Sequence, residues 1–211
     1  MSDPLHFPDA ISQADTARDD LLALIRLGDA SALDELVERY WEPLVIYAGH
    51  LLGSWDAAED VTQEAFVRIW ERRESWDATG PVQALLYRIV RNLALDVRKG
   101  REREVERAGH VVSARAPVPT PLELTTSSEF QAAFHAALEA LSPRRREVYE
   151  LVRFRGLSYR EVGEILDLAP QTVANHLSAA VSTLRSSLAP FLSDAEPLTD
   201  GTAPETVRAS P

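Results

Sequence analysis

Residues 157–177 read LSYREVGEILDLAPQTVANHL, and this pattern predicts two helices joined by a tight turn. Ser158 is followed three residues later by Glu161, which is the spacing of a capping box at the start of a helix. Pro170 stands where the second helix would begin, a position at which its missing N–H costs nothing. The stretch is therefore predicted to be a helix-turn-helix, whose second helix can enter the major groove of duplex DNA.

The apolar residues of this stretch fall on one side of each predicted helix. The inward-facing positions are predicted to be Val162, Ile165, Leu166, Val173 and Leu177. Gly163 permits a close approach of the neighbouring helix. The polar residues on or near the exposed side of the second helix are Gln171, Thr172, Asn175 and His176. For this stretch alone, an ordinary helical hairpin with a polar face is the alternative interpretation.

The composition indicates a globular protein without disulfides. Its 211 residues are enough for one large or two small domains. Hydrophobic residues make up 45% and charged residues 26%, and there is no cysteine to form a disulfide, a thiolate metal site or a nucleophile. No apolar run approaches the length of a membrane span, and the start MSDPLHFPDA lacks the pattern of a signal peptide. We therefore expect a cytoplasmic protein that does not insert into a membrane.

The charges are distributed unevenly along the chain. The formal net charge of -11 at pH 7 argues against a protein that coats DNA by itself, because non-specific DNA binding is mostly phosphate neutralisation by Lys and Arg. Acidic residues concentrate at both ends and between residues 29 and 64, whereas basic residues gather within residues 88–103 and 144–160. This distribution suits a DNA-binding protein that is delivered by a larger partner.

The hydrophobic periodicity predicts an all-α protein built from two small helical domains. Residues 20–100 carry apolar stripes at helical spacing and are predicted to form a compact bundle. Residues 101–128 are predicted to be a flexible linker rich in Pro, Ser and Thr, which leaves the separation of the domains unfixed. Residues 129–192 form the second domain, which contains the helix-turn-helix. Residues 1–19 and the acidic tail 193–211 have the composition of disordered segments.

Both predicted domains resemble the small extracytoplasmic-function group of bacterial sigma factors, which keeps only two domains. Residues 60–70, DVTQEAFVRIW, and residues 86–96, LYRIVRNLALD, resemble region 2, the amino-terminal domain of the family. Residues 140–148, ALSPRRREV, together with the helix-turn-helix that follows them, resemble region 4, the second domain. The two matches occur in the family's order with a suitable linker between them, so together they are more specific than either alone.

The resemblance implies a contact with core RNA polymerase. In the family the DxxQE segment binds the clamp-helix coiled coil of the largest polymerase subunit, and here this segment supplies Asp60, Gln63 and Glu64. These side chains are expected on the exposed side of a helix whose other side is held in the core. An acidic, amide-bearing face suits a basic coiled coil, whereas the alternative is an ordinary solvated helix face.

The resemblance also assigns the helix from Pro81 to Lys99, with the loop before it, to promoter opening. Duplex DNA is held open when an extruded base is stacked or pocketed while basic side chains track the backbone. The residues expected to contact the minus-ten DNA, including its melted strand, are Trp76, Arg88, Arg91, Asn92, Arg98 and Lys99. The family commonly has Trp at the position of Leu85, so this chain presents less aromatic surface near the helix start.

In the second domain, the family reads the duplex minus-thirty-five element with the recognition helix. Here Gln171, Thr172 and Asn175 are expected to address base edges. The residues expected to anchor phosphates are Arg144, Arg145, Arg155 and Arg160. His176 either contacts phosphate or completes the packing. Relatives often carry Arg or Lys at the positions of Ala174 and His176, so this chain has less charge there.

The function implied by these residues is that of an alternative sigma factor, which binds core RNA polymerase and directs promoter recognition and transcription initiation. An anti-sigma factor is a usual partner in the family. No catalytic residue, metal ligand or cofactor is predicted, because the sequence contains no phosphate-binding Gly-rich loop, clustered metal set or nucleophile-and-base pair. The alternatives are a homodimeric helix-turn-helix regulator that is not a polymerase subunit, and an adaptor whose acidic bundle binds another protein.

Overall fold

The computed structural model of the protein describes residues 16–75, 81–108 and 128–192. The regular structure in these ranges is helical, which confirms the all-α prediction. The first domain contains α1 (Thr16–Arg26), α2 (Ala30–Leu52), α3 (Trp55–Glu71) and α4 (Val82–Ala108). The second contains α5 (Ser128–Glu139), α6 (Pro143–Tyr149), a π-helical turn (Glu150–Phe154), α7 (Tyr159–Leu166) and α8 (Pro170–Leu192). Trp76, residues 109–127 of the predicted linker, residues 1–15 and the whole predicted tail 193–211 lie outside the described residues. Residues 16–19 were predicted to belong to a disordered end, but they form the start of α1.

The first domain is a bundle in which α2, α3 and α4 pack against one another and α1 packs against α2 and α4. Its largest fully buried side chains are Ile25, Leu36, Leu44, Tyr47, Ile69, Leu86 and Tyr87. The rings of Tyr47 and Tyr87 meet edge to face with their centroids 5.1 Å apart, a favoured geometry for aromatic pairs. This contact joins α2 to α4 at the side of the bundle that faces the second domain.

Short capped turns fix the direction of α2 and α3. The Asp29 carboxylate accepts a hydrogen bond from the backbone N–H of Ser31 at 2.9 Å, and Ser54 caps α3 by accepting from the N–H of Ala57 at 3.4 Å. Between the two helices, Gly53 adopts a left-handed conformation with φ 65°, which glycine reaches without a Cβ penalty. The turn therefore holds α3, the helix of the DxxQE segment, at a defined angle to α2.

Helix α4 is longer than the sequence predicted. It continues through residues 101–108, which were assigned to the linker. This segment, REREVERA, consists mostly of Arg and Glu, which are good helix formers. In addition, Arg98 pairs with Glu102 one turn later at 3.3 Å. The linker therefore begins after Ala108 and not at residue 101, as predicted.

The helix-turn-helix forms as predicted. The Ser158 hydroxyl accepts from the N–H of Glu161 at 3.3 Å, and the Glu161 carboxylate accepts from the N–H of Ser158 at 2.7 Å, which confirms the capping box. Helix α8 begins at Pro170, and the five predicted inward-facing residues are all buried. Its later turns extend past the recognition segment and pack on α5 through a second core of Phe134, Leu138, Leu141, Ala180, Leu184 and Leu188.

Gly163 allows the turn of the helix-turn-helix to fold back against α7. The Leu168 N–H donates to the Gly163 carbonyl at 2.9 Å, and Asp167 adopts a left-handed conformation with φ 57°. A Cβ on residue 163 would lie only 2.5 Å from the backbone oxygen of Leu168. A close approach at Gly163 is therefore confirmed, but the backbone that comes nearest belongs to Leu168 of the turn and not, as predicted, to the neighbouring helix.

The two domains are in contact with each other. Helix α7 packs against α4, and Leu157 and Ile165 belong to the same continuous buried cluster as Leu86 and Val90 of the first domain. The expectation of an unfixed separation between the domains therefore does not describe this conformation. None of the helices in the described residues is both long and apolar enough to cross a membrane.

The glycines of α7 and α4 give a matched test of the close approach. We expect Gly163→Ala to lower the free energy of unfolding by about 1–3 kcal/mol, because the added methyl overlaps a backbone oxygen. Gly100→Ala should instead raise it by up to about 1 kcal/mol, since α4 has open space there and alanine is the better helix former. Urea unfolding followed by circular dichroism measures both changes. An unaltered midpoint for Gly163→Ala would contradict the packing described for the turn.

Candidate functional site

The predicted polymerase face lies exposed on α3. Asp60, Gln63 and Glu64 point into solvent, and Glu64 forms an exposed ion pair with Arg68 at 2.8 Å. The opposite side of α3 is held in the core by buried Val61, Ala65, Phe66 and Ile69. The expected division of the helix into an exposed polar side and a buried apolar side is therefore confirmed.

Helical spacing extends this face beyond the residues singled out from the sequence. Asp56, Asp60 and Glu64 are separated by one turn each, and Glu59 precedes Gln63 by one turn; all five are exposed. Val67 continues the same stripe and is 42% exposed. The sequence reasoning missed Asp56, Glu59 and Val67, although their spacing of three and four residues from the DxxQE segment was the available signal. We call Asp56, Glu59, Asp60, Gln63, Glu64 and Val67 the acidic stripe.

The residues predicted to contact minus-ten DNA are only partly brought together. Arg88, Asn92 and Lys99 are exposed along one side of α4, at intervals of four and seven residues that align on a helix. Arg98 is also exposed and pairs with Glu102. Trp76 lies outside the described residues. Arg91 lies apart from this row, because its side chain is buried against the second domain.

The recognition helix α8 presents its predicted polar residues in two environments. Gln171 and Asn175 are exposed and joined by a hydrogen bond of 3.2 Å from the Gln171 amide to the Asn175 side-chain oxygen, whereas Thr172 and His176 are half-buried. Ser178 is exposed three residues after Asn175, and so lies on the same side of the helix. The sequence reasoning missed Ser178.

The arginines predicted to anchor phosphates also divide into two groups. Arg145 and Arg160 are exposed, and Arg144 is partly exposed with its guanidinium 3.5 Å from Glu147. Arg155 is buried, with only 7% of its side chain exposed, and pairs with Glu150 at 3.1 Å. In this conformation, Arg145 and Arg160 are free to meet a phosphate and Arg155 is not.

A cluster of polar and charged side chains fills the contact between the two domains. From the second domain, Glu147 accepts from Arg91 at 2.8 Å and from the Tyr47 hydroxyl at 3.0 Å. Glu150 lies 2.9 Å from Nδ1 of His50 and accepts from Arg155. The Gln83 amide donates to the backbone oxygen of Arg155 at 2.8 Å. We call Tyr47, His50, Gln83, Arg91, Glu147, Glu150 and Arg155 the interdomain cluster.

The cluster is poorly accessible to solvent, and this changes its acid–base properties. Burial raises the pKa of the Tyr47 hydroxyl well above its usual range, and the nearby Glu147 carboxylate raises it further. Burial likewise raises the pKa of Tyr87. Both hydroxyls therefore stay neutral in the folded chain. The cluster is no metal site: among the described residues, no group of three or more His, Asp and Glu side chains is arranged to hold a metal ion.

Two family profiles match the chain, Sigma-70 region 2 over residues 36–104 and Sigma-70 region 4 over residues 131–184. The chain is 33% identical over 172 residues to the ECF RNA polymerase sigma factor SigE of Mycolicibacterium smegmatis, a match that covers 79% of this chain and 66% of SigE. It is 32% identical over 166 residues to SigL of Mycobacterium tuberculosis, also an ECF RNA polymerase sigma factor. This match covers 76% of this chain and 90% of SigL.

Solved structures show the same arrangement of helices. The sigma factor RpoE of Bartonella quintana, co-crystallised with the anti-sigma factor NepR, is similar with a TM-score of 0.61 and 27% identity, over 74% of this chain and 96% of RpoE. CnrH in complex with the cytosolic domain of CnrY shares the fold with a TM-score of 0.57 and 23% identity, over 85% of this chain and 99% of CnrH.

The buried tyrosines predict a loss of stability in alkali. The unfolded chain releases tyrosine protons above about pH 10, whereas the folded chain keeps those of Tyr47 and Tyr87, so the free energy of unfolding should fall as the pH rises. Tyr47→Phe removes one such group and should make this fall shallower. Urea unfolding at a series of pH values measures the slope. Tyr159→Phe is the control, because Tyr159 is 43% exposed; the burial of Tyr47 would be refuted by equal slopes in both variants.

Proposed function

Because the chain belongs to the extracytoplasmic-function group of bacterial RNA polymerase sigma factors, we propose which of its surfaces perform each step of transcription initiation. The protein is an alternative sigma factor that binds core RNA polymerase and directs promoter recognition. Sigma factors are regulatory, non-enzymatic proteins, and we infer that the chemistry of RNA synthesis belongs entirely to the polymerase. Its place of action is then that of the polymerase, the cytoplasm.

The observation that carries the assignment of surfaces is the separation of charge between helices. The acidic stripe covers the exposed side of α3, where it would repel DNA phosphate and attract a basic protein surface. The exposed sides of α4 and α8 instead offer arginine, lysine and amide groups, which are the donors that bind phosphate and base edges. One surface therefore suits the polymerase and two suit promoter DNA.

We assign core polymerase binding to Asp60, Gln63 and Glu64, at the centre of the acidic stripe. The carboxylates can pair with basic residues of a coiled coil, and the Gln63 amide can donate and accept hydrogen bonds. Val67 lies beside them and supplies apolar area, which interfaces usually combine with a polar rim. The exposed pair of Glu64 with Arg68 adds little stability, so Glu64 can exchange it for a partner's cation.

We assign the minus-ten element to the first domain and the minus-thirty-five element to the second. Residues 20–100 with their helical extension would form the region 2 domain and residues 129–192 the region 4 domain, as the matched ranges support. Arg88, Asn92, Arg98 and Lys99 would follow melted DNA, and we assign Trp76 to the same strand from its position in the sequence alone. Gln171 and Asn175 would address base edges, while Arg144, Arg145 and Arg160 would hold phosphates. Thr172 and His176 flank the base-reading pair.

An anti-sigma factor is the third partner that we propose. RpoE of Bartonella quintana, similar to this chain in fold and sequence, is bound to such a factor. We infer that this chain also binds an anti-sigma factor, and that such a factor would compete with core polymerase for it. Co-purification of core polymerase with the tagged chain from a cell extract separates the sigma factor from the alternative, a homodimeric regulator, which would purify as a dimer free of polymerase.

The acidic stripe can be tested by charge reversal. We expect Asp60→Arg with Glu64→Arg to weaken binding to core polymerase at least tenfold. In the variant, two arginines would face the cations of the partner that the two carboxylates are proposed to bind. Helicity and unfolding should change little, since exposed helix substitutions usually cost little stability. Glu38→Arg with Glu42→Arg makes the same charge change at the same spacing on exposed α2. Equal affinities of the two double variants in a pull-down titration would remove the assignment.

The recognition surface can be tested by a promoter-library selection with holoenzyme. Gln171→Ala or Asn175→Ala should relax preference at particular minus-thirty-five positions, with roughly 1–3 kcal/mol of discrimination lost for a good bidentate contact. Arg144→Ala and Arg145→Ala should lower occupancy on all promoters and reduce its salt dependence. Ser187→Ala, an exposed change near the far end of α8, is the control. If the arginine variants changed base preference while the amide variants did not, the two roles would be reversed.

A further inference from the structure

Two carboxylates of the second domain are buried in its contact with the first. The side chains of Glu147 and Glu150 are only 11% and 6% exposed. Each faces a cationic or protonatable group of the first domain, Arg91 for Glu147 and His50 for Glu150, at 2.8 Å and 2.9 Å. These charge-assisted contacts run between residues far apart in the sequence, and they fix how the domains are oriented.

The same carboxylates engage two of the arginines that the sequence analysis predicts to contact promoter DNA. Glu147 pairs with Arg91, whose side chain is 12% exposed, and Glu150 pairs with Arg155, whose side chain is 7% exposed. A carboxylate presents the same kind of planar, charged acceptor to a guanidinium as a phosphate does. The pair of Arg91 with Glu147 joins the two domains, whereas Glu150 and Arg155 both belong to the second domain. The first domain contacts Arg155 through the Gln83 amide, which donates to its backbone oxygen. In the docked conformation neither guanidinium is therefore open to a DNA phosphate.

We propose that Glu147 and Glu150 form an internal latch that keeps the two domains closed in the free chain and withholds Arg91 and Arg155 from nucleic acid. The latch competes with the phosphates of promoter DNA for the same guanidinium groups. This inference rests on the proposed function as a sigma factor and on the DNA contacts that the resemblance implies for these two arginines. It adds to that function a closed resting state that is maintained by the chain itself.

The chemistry of the interface makes the latch reversible. Removing charged groups from water costs free energy that their mutual attraction only roughly offsets, so the closed and open states lie close in free energy. Replacing one carboxylate leaves its partner's charge buried and unpaired, which favours the open state. Opening returns water to Arg91, Arg155 and both carboxylates. The highly charged backbone of DNA then offers each guanidinium a new anionic partner and releases its counterions.

The closed state can be measured on the full chain. The sequence has no cysteine, so Asp34→Cys on α2 and Ser186→Cys on α8, both exposed positions, give one label site in each domain. We expect the inter-label distance by energy transfer to be short and narrowly distributed. In the background of Glu147→Gln with Glu150→Gln, it should become longer and broader.

DNA binding is measured with a short fluorescein-labelled duplex of mixed sequence and with its single strand, since phosphate contacts do not depend on sequence. The double glutamine variant should bind at least about tenfold more tightly than the wild type. Glu38→Gln with Glu42→Gln changes the net charge equally on the exposed side of α2. It should leave the distance unchanged and raise the affinity only slightly.

A third variant separates opening from DNA contact. Arg91→Gln breaks the same pair with Glu147 and should open the domains, but it removes one of the proposed phosphate ligands. Its gain in DNA affinity should therefore be smaller than that of Glu147→Gln alone. Glu147→Gln also serves if loss of the more deeply buried Glu150 disturbs the second domain, which circular dichroism would reveal.

Each result decides the inference. An unchanged distance in the folded glutamine variants overturns the latch, and so does opening without a gain in DNA affinity, because the arginines would then not be withheld from nucleic acid. If Arg91→Gln and Glu147→Gln gain DNA affinity equally, Arg91 does not contact DNA phosphate in the open chain, and the claim that the latch withholds it is wrong. The proposed function is judged separately, by the polymerase titration of the acidic-stripe variants, which does not involve the interdomain cluster.

Discussion

The contact between Arg91 and Glu147 is the constraint on which the arrangement of the whole chain depends. It joins α4 of the first domain to α6 of the second at 2.8 Å, and the Tyr47 hydroxyl donates to the same carboxylate from α2. Because both charges are removed from water, neither can be left without the other at low cost. The pair therefore allows two states. Either the domains dock in this orientation and the two charges stay paired, or the domains separate and both charges return to water.

The local structure could be predicted from the sequence because its signals lie within one or two helical turns. The capping box of Ser158 and Glu161, Pro170 at a helix start and Gly163 beside the turn each require particular residues at a fixed spacing. The exposed side of α3 followed from the same periodicity. The end of α4 was not predicted. Residues 101–108 contain none of the Pro, Ser and Thr that indicate the linker, and their Arg and Glu favour helix.

The interdomain cluster could not be predicted, because its members carry no local signal of their partners. Arg91 lies 56 residues from Glu147 and Gln83 lies 72 residues from Arg155. From the sequence, Arg91 on α4 is predicted to be a phosphate ligand. Nothing near Glu147 on α6 distinguishes it from a solvated helix residue. Only the packing of α7 on α4 brings opposite charges together and removes them from water. The same side chain thus has a different environment in the docked and the separated domains.

In the docked conformation, some of the proposed binding surfaces are exposed to a partner and others are buried. The acidic stripe of α3 and the amides of Gln171 and Asn175 are exposed while the domains are closed, whereas Arg91 and Arg155 are not. Under the proposed roles, a basic polymerase surface would engage α3 without any rearrangement, whereas DNA phosphate would reach Arg91 only after the domains part. Since a partner that binds the separated domains gains contacts that the closed chain withholds, its binding free energy draws the equilibrium toward opening. The negative net charge of the chain opposes binding to DNA alone, and so adds to the effect of the closed conformation before the polymerase arrives.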